Sequence, residues 1–527
     1  MSESRASFLE TWGVLIIMGL ASLIVVLDTP MMMMAISAVV ADLNTTVQGV
    51  QAAIALSAMV IAAFTLAGSQ LGAVFGMKWI FTIGLIGYGI GTLTAALTPN
   101  IELLALGWSL IKGMGAALIL PMVLTVLMRH YEGQRLALSL GVVAAAQVVG
   151  VAIGPIFGGF MASQFSWRWA FGSETLIVVV MLALVSLLPQ SEPQPEVRID
   201  WLGILLLATG LIFIIFGGVL ASNYGWLWAK QPFGVGNWEV TPFGLSIVPF
   251  LMALGCVSLA VLGLWQRQQM QVGYPPLVRL DWLHNRSLLA AVTGLLHLML
   301  TGILFTMPVF LQGGLGLSPL KSAMILLPLL ISLLLIALTS PSLGQWVQPK
   351  YIMMFGLAIM LSGLAVLHQA LVATLQGEEL LAGLLVLGSG LGLVWAQVTQ
   401  TTLARMRQDA IGAVLDLNHT VKQIGTGLGA AIVGSLLISA LLRGIVTGVD
   451  QQQTLDWQTR QTTIVALQAA AQDLSPAQKT AFLSRLSAEE QTRLTAAVTH
   501  SWTHAMQIVL LATIGLTLLC LVAVFFL

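Results

Sequence analysis

The chain has 527 residues, of which 58% are hydrophobic and 8% charged, and its formal net charge is zero. At a mean hydropathy of +0.95 it holds more apolar surface than a soluble domain can bury, so its solvent is lipid, and the balanced charge gives no sign of a nucleic-acid partner. Cys256 and Cys520 both lie in apolar runs, so no disulfide, metal site or cofactor is expected.

A membrane crossing needs about 20 apolar residues. On that rule the sequence predicts about fourteen spans, near 13–35, 48–70, 79–98, 102–127, 138–163, 168–189, 201–221, 246–266, 288–312, 320–339, 351–371, 379–404, 410–442 and 501–526. The polar start MSESRASFLETW has no cleavage site, so the first run is expected to be a retained helix. In the fifth span, Gly141, Gly150, Gly154, Pro155, Gly158 and Gly159 follow one another in a G-x8-G-x3-G-P-x2-G-G pattern. On a helix, glycines at 150, 154 and 158 make a stripe without side chains, against which another helix backbone can pack closely. Pro155 removes an internal hydrogen bond and is expected to bend the helix.

With the N-terminus inside, the basic residues Arg5, Lys78, Arg129, Arg135, Arg198, Arg267, Arg279, Arg286, Lys350, Arg405 and Arg407 fall in cytoplasmic segments, against Arg168, Lys230 and Lys321 in short external ones. That asymmetry places both termini in the cytoplasm. A weak repeat, Leu71-Gly72…Lys78 after the second span and Leu343-Gly344…Lys350 after the tenth, points to two related halves with a substrate site between them. The expected division is a six-helix bundle at 1–190, two inserted spans at 191–270, and a second six-helix bundle at 271–527. Within the last, the polar segment 443–500 carries two helix-start signals, Ser475-Pro476-Ala477-Gln478 and Ser487-Ala488-Glu489-Glu490. Two or three short amphipathic helices are expected there on the extracytoplasmic side, as a solvated cap or a docking surface for a partner.

The glycine pattern of the fifth span resembles the antiporter signature of major facilitator superfamily exporters. Leu27-Asp28-Thr29, Ser166-Trp167-Arg168-Trp169-Ala170-Phe171, Asp200-Trp201-Leu202-Gly203, Tyr224-Gly225-Trp226, Leu317-Ser318-Pro319 with Gln312 and Pro328, and Lys422-Gln423-Ile424-Gly425 are similar, in order, to motifs of that superfamily's fourteen-helix drug:proton antiporter branch. The resemblance implies an all-α membrane fold of two six-helix bundles plus two inserted helices, working by alternating access. Three positions depart from the pattern. In the turn after the second span, usually GxLADRxGR(K/R), Ala73 replaces the acid and Val74 a base. In the fourth span, usually RxxQG, Ser109-Leu110-Ile111-Lys112-Gly113 lacks the arginine. In the sixth, Glu174 stands where the branch usually has Asn.

A charge inside the membrane costs several kcal/mol unless paired, which makes each one a functional candidate. Lys112 lies one turn after the missing arginine and is expected to pair with Asp28 across the cavity that the resemblance implies, either as a proton-sensitive switch or as a static pair. Glu174 is expected to contact Arg168 or to carry a proton. His297, mid-span in the ninth helix, is either a further proton group or a hydrogen-bonded core histidine. Met32 and Met33, in the run Met31 to Met34, are lining candidates because methionine suits adaptable apolar surfaces; Met33 replaces the branch's usual Asn. Trp108, Gln147 and Gln312 are further lining candidates. Asp416, His419 and Lys422 lie near one face of the thirteenth helix and are expected to form a cytoplasmic gate.

These residues lead to the expectation of a monomeric secondary exporter in the cell membrane, moving lipophilic or amphipathic, preferentially cationic, compounds in exchange for protons. No G-x-x-x-x-G-K-[ST] is present, so this chain carries no site of that kind for ATP. The alternatives are a carrier of lipid or hydrophobic metabolite without standard proton coupling, and a non-transporting scaffold or sensor acting through 443–500. An enzyme has no supporting constellation.

Overall fold

A computed structural model describes residues 2–190, 193, 198–235, 238–274, 276–278, 280–371, 377–403, 411–451, 456–484 and 486–527. Of the expected cytoplasmic basic residues, Arg279, Arg405 and Arg407 lie outside them. Fourteen helices among the described residues are long and apolar enough to cross a membrane: Trp12–Met34, Val47–Phe75, Met77–Leu97, Ile101–His130, Gly133–Gln164, Trp167–Leu187, Trp201–Tyr224, Ile247–Val272, Ser287–Gly314, Pro319–Gln345, Pro349–Ala370, Glu378–Thr402, Val414–Asp450 and Ala488–Phe525. They are called the first to fourteenth spans below.

Polar residues between the apolar runs start the helices by capping free backbone N–H groups. The Thr46 side chain accepts from Gly49, Asn100 from Leu103, Asp200 from Gly203 and Ser318 from Lys321. The second and third spans meet at a single residue, Gly76, whose φ of 96° a side chain would resist.

An even number of crossings leaves both termini on one face, here the terminal side; the opposite face, which carries residues 443–500, is the cap side. The first span packs on the fifth, the third on the fourth and sixth, and the eleventh on the twelfth and fourteenth. The seventh and eighth pair with each other, and the seventh leans on the second span and the far end of the thirteenth, where Ser435 Oγ donates to Gly218 O at 2.8 Å. A small antiparallel hairpin, Phe233–Val235 with Trp238–Val240, lies between the seventh and eighth spans.

Among the described residues the cap has two separate short helices, Trp457–Gln472 and Pro476–Leu483, within the expected two or three; its bounds are narrower than 443–500, because the thirteenth span runs on to Asp450 and the fourteenth starts at Ala488. Ser487 and Glu490 do form a reciprocal capping box, but the helix it starts is the fourteenth span itself. No glycine or proline lies between Ala488 and Ala512, so nothing breaks the helix before the membrane.

Candidate functional site

The fourth span begins as an α-helical turn and then widens to a π-helix over Ala105–Lys112. Such widenings recur at functional sites because they re-aim side chains. Here Trp108 and Lys112 both reach Asp28 of the first span. Trp108 Nε1 donates to Asp28 Oδ1 at 2.9 Å, and Lys112 Nζ donates to the same oxygen. Lys112 Nζ also lies 2.6 Å from Glu174 Oε2 of the sixth span, and 4.7 Å and 5.0 Å from the ring centroids of Tyr88 and Phe171. All three charged side chains are buried, and Glu174 Oε1 has no hydrogen-bond partner. One ammonium therefore serves two carboxylates. With all three ionised the triad carries one net negative charge, and one added proton neutralises it.

The expected contact between Glu174 and Arg168 is not made. Arg168 instead binds Asp42 at 2.9 Å at the cap-side end of the first six spans. Positions six apart on a helix point well away from each other, and Glu174 lies deeper in the apolar region.

Beside the triad, a central cavity of about 80 Å³ is lined from the first, fourth, fifth, ninth, twelfth and thirteenth spans. Met33 and Gln147 are on its wall, as are His297, His419 and Lys422. Met32, Trp108 and Gln312 are buried elsewhere: Trp108 on Asp28, and Gln312 in the seal described next. The carboxylates that suggested a cationic cargo are engaged with Lys112 and are not part of this wall, to which no Asp or Glu among the described residues contributes. Asp416 separates from His419 and Lys422: it hydrogen-bonds Ser69 of the second span, and its Oδ1 has no partner.

Three contacts close the cavity from the cap side. Gln312 Nε2 donates to Met34 O at 3.0 Å while its Oε1 accepts from Ser37 N at 3.3 Å. Leu320 N donates to Ser163 Oγ at 2.9 Å. Gln51 Nε2 donates to Ala430 O at 2.8 Å and Ala431 O at 3.1 Å. Gln51 was not singled out from the sequence; the available signal was a glutamine one turn into a long, largely apolar helix. Trp395, which underlies the basic wall of the cavity, carried no signal beyond its size.

The glycine stripe lies along the first span. A Cβ at Gly150 would stand 3.0 Å from Leu23 O, one at Gly154 2.6 Å from Leu27 O, and one at Gly158 would overlap Met31 O. Gly159 faces the tenth span, where a Cβ would lie 2.8 Å from Pro319 O, whereas Gly141 has nothing near it.

The sequence matches the family described as Major Facilitator Superfamily over residues 18–430. It is 26% identical over 435 residues to the puromycin resistance protein of Streptomyces alboniger, covering 81% of this chain and 82% of that one. It is 26% identical over 438 residues to a triacylglyceride transporter of Mycolicibacterium smegmatis, covering 79% and 74%. In structure it is similar to a bacterial homolog of the human lysosomal transporter Spinster in an inward-facing, occupied conformation, with a TM-score of 0.60 and 13% identity over 97% of this chain and 96% of that one.

Proposed function

The chain belongs to the Major Facilitator Superfamily, and from that premise we propose that it is a secondary active exporter of lipophilic or amphipathic compounds that takes up protons in exchange. That it is an integral membrane transporter and not an enzyme follows from the family and its relatives. The observation that supports exchange with protons is the buried triad, in which Lys112 is shared between Asp28 and Glu174 directly behind the cavity wall.

In this reading a proton entering the triad releases one carboxylate from Lys112. The first, fourth and sixth spans, which the triad ties together, then become free to shift against one another. The cap-side seal through Gln51, Gln312 and Ser163 is the contact that opens in the outward state. The gate at Asp416 and Ser69 belongs to the terminal side, which we place in the cytoplasm of a cell membrane on the distribution of basic residues. The protein acts as a monomer, and residues 443–500 form a cap that is open to an external partner.

The test uses purified protein in proteoliposomes with an imposed pH gradient and fluorescent cationic, neutral and anionic lipophiles of matched size. Gradient-driven movement of at least one probe, lost in Asp28→Asn, is the expected result; no movement of any probe sinks the exporter reading. The second reading, a carrier of neutral lipid without proton coupling, draws on the triacylglyceride-transporter relative and on the wall residues Val25, Val26, Val151 and Leu304. It predicts lipid movement that ignores the gradient and survives Asp28→Asn.

A further inference from the structure

The sign of charge in the cavity is opposite to the sign in the triad. His419 and Lys422 stand three residues apart on the thirteenth span, and so on one face. The ninth span brings His297 against them at a close crossing, where a Cβ on Gly425 would stand 3.1 Å from the His297 Cβ and would overlap Gly294 O. Trp395 lies under the cluster, its ring 4.7 Å from that of His297 and 5.7 Å from Lys422 Nζ. His297 Nδ1 lies 2.9 Å from Thr293 O; a carbonyl can only accept, so Nδ1 carries the proton and Nε2 is the nitrogen left for a ligand.

Among the described residues no group answers this charge. Among the described residues, no carboxylate pairs with Lys422 and no hydrogen bond is made by His419. The ion pairs formed by the described carboxylates are all elsewhere, and the cavity wall has none to offer. A half-buried ammonium and a buried imidazole facing one cavity without partners are costly groups unless a ligand or water satisfies them. On the first and fifth spans the wall is largely apolar, with Val25, Val26, Met33 and Val151.

We infer that the cargo is an amphipathic organic anion, held with its carboxylate, sulfonate or phosphate group on Lys422 and His419 and its apolar body toward the first and fifth spans. A cation in the same place would meet like charge without a counterion, which disfavours it strongly in a low dielectric. The volume of about 80 Å³ in this conformation accommodates a headgroup; the body needs the cavity to open. This inference rests on the exporter reading for its transport consequence, but the binding site can be tested separately.

The experiment measures equilibrium binding of dansylaminoundecanoate, and of a dansyl quaternary-ammonium probe of equal chain length, to the full chain in nanodiscs of zwitterionic lipid. The carboxylate is expected to bind at least about ten-fold more tightly, to lose about ten-fold or more in K422Q, and to regain most of it in K422R, which keeps the charge. H419L, which removes a donor and no fixed charge, is expected to weaken the carboxylate alone. Equal or tighter binding of the ammonium probe, undiminished carboxylate binding in K422Q, or no carboxylate binding to the native chain overturns the inference. Displacement of the bound carboxylate by decanesulfonate or by lysophosphatidylglycerol tells a soluble acid from a lipid headgroup as the source. Carboxylate binding with no gradient-driven movement of any probe in proteoliposomes leaves the anion site standing and removes the exporter reading. Movement of the ammonium probe alone does the reverse.

Discussion

Lys112 is the residue on which the first half of the site depends. Replacing it with methionine leaves Asp28 and Glu174 buried together without a cation, and breaking a buried pair in this way costs about 3–5 kcal/mol. A large drop in the thermal unfolding temperature, together with loss of gradient-driven transport, is the expected outcome for Lys112→Met. Glu174→Gln differs in kind, because the remaining Lys112–Asp28 pair is balanced. That variant should unfold within a few degrees of the native chain yet export at a rate indifferent to the pH gradient; a gradient response as strong as the native one would remove Glu174 from the coupling step. The Asp28–Lys112 pairing could be read from the sequence because charges are scarce in membrane helices and each needs a partner. The partner of Glu174 could not, since Arg168 is nearer along the chain and only helix rotation and depth send it to Asp42 instead.

At the scale of the helices, the three π-helical stretches among the described residues have separate tasks. Ala105–Lys112 aims the triad, Phe310–Gly314 presents Gln312 to the first span, and Gly429–Val433 offers the carbonyls of Ala430 and Ala431 to Gln51. A π turn leaves backbone carbonyls without their usual helical donors, so a side chain from a neighbouring span can take them. Gln51→Leu removes that donor and should loosen the cap-side seal by the hydrogen bonds lost, about 0.5–1.5 kcal/mol each. Distances between spin labels on the cap-side ends of the second and thirteenth spans should then broaden toward longer values. The stripe of Gly150, Gly154 and Gly158 admits no side chain against the first span, so Gly158→Val should destabilise by about 1–3 kcal/mol through overpacking, checked by thermal unfolding in detergent. Between the seventh and eighth spans, Lys230 donates to Ser222 O at 2.8 Å, and burial followed by the nearby Arg443 holds its ammonium below the ordinary lysine range. The unfolded chain therefore keeps that proton to higher pH, and stability rises with pH between the lowered folded value and the ordinary one of about 10.4. Lys230→Met should flatten that alkaline rise.

For the whole molecule, the proposed charges fix the direction of the driving force. One proton moving in while one monovalent anion moves out transfers two units of charge in the same sense. An inside-negative potential therefore assists the cycle by about 2.3 kcal/mol per charge for each 100 mV. Export of an anionic lipophile from proteoliposomes should accelerate when a valinomycin-clamped potassium gradient makes the cargo side negative, and a rate independent of potential would contradict this stoichiometry. The even number of spans puts both ends of the chain on one face, and a C-terminal fluorescent protein should fold and fluoresce if that face is cytoplasmic.

The sequence by itself determined the solvent, the fourteen helices and the family. Each of these rests on local properties, namely runs of apolar residues, glycine spacing and short motifs, that need no distant contact to be read. The same was true of the first ion pair. The tertiary structure alone decided which residues reach the cavity. Rotation of each span about its axis sends Met33 to the wall and Met32 away from it, and turns Trp108 to Asp28 and Gln312 to the seal. It also decided the cavity's sign: acids and bases of similar abundance along the chain are sorted by packing, the acids onto Lys112 within the first six spans, the bases to an unanswered cluster on the ninth and thirteenth.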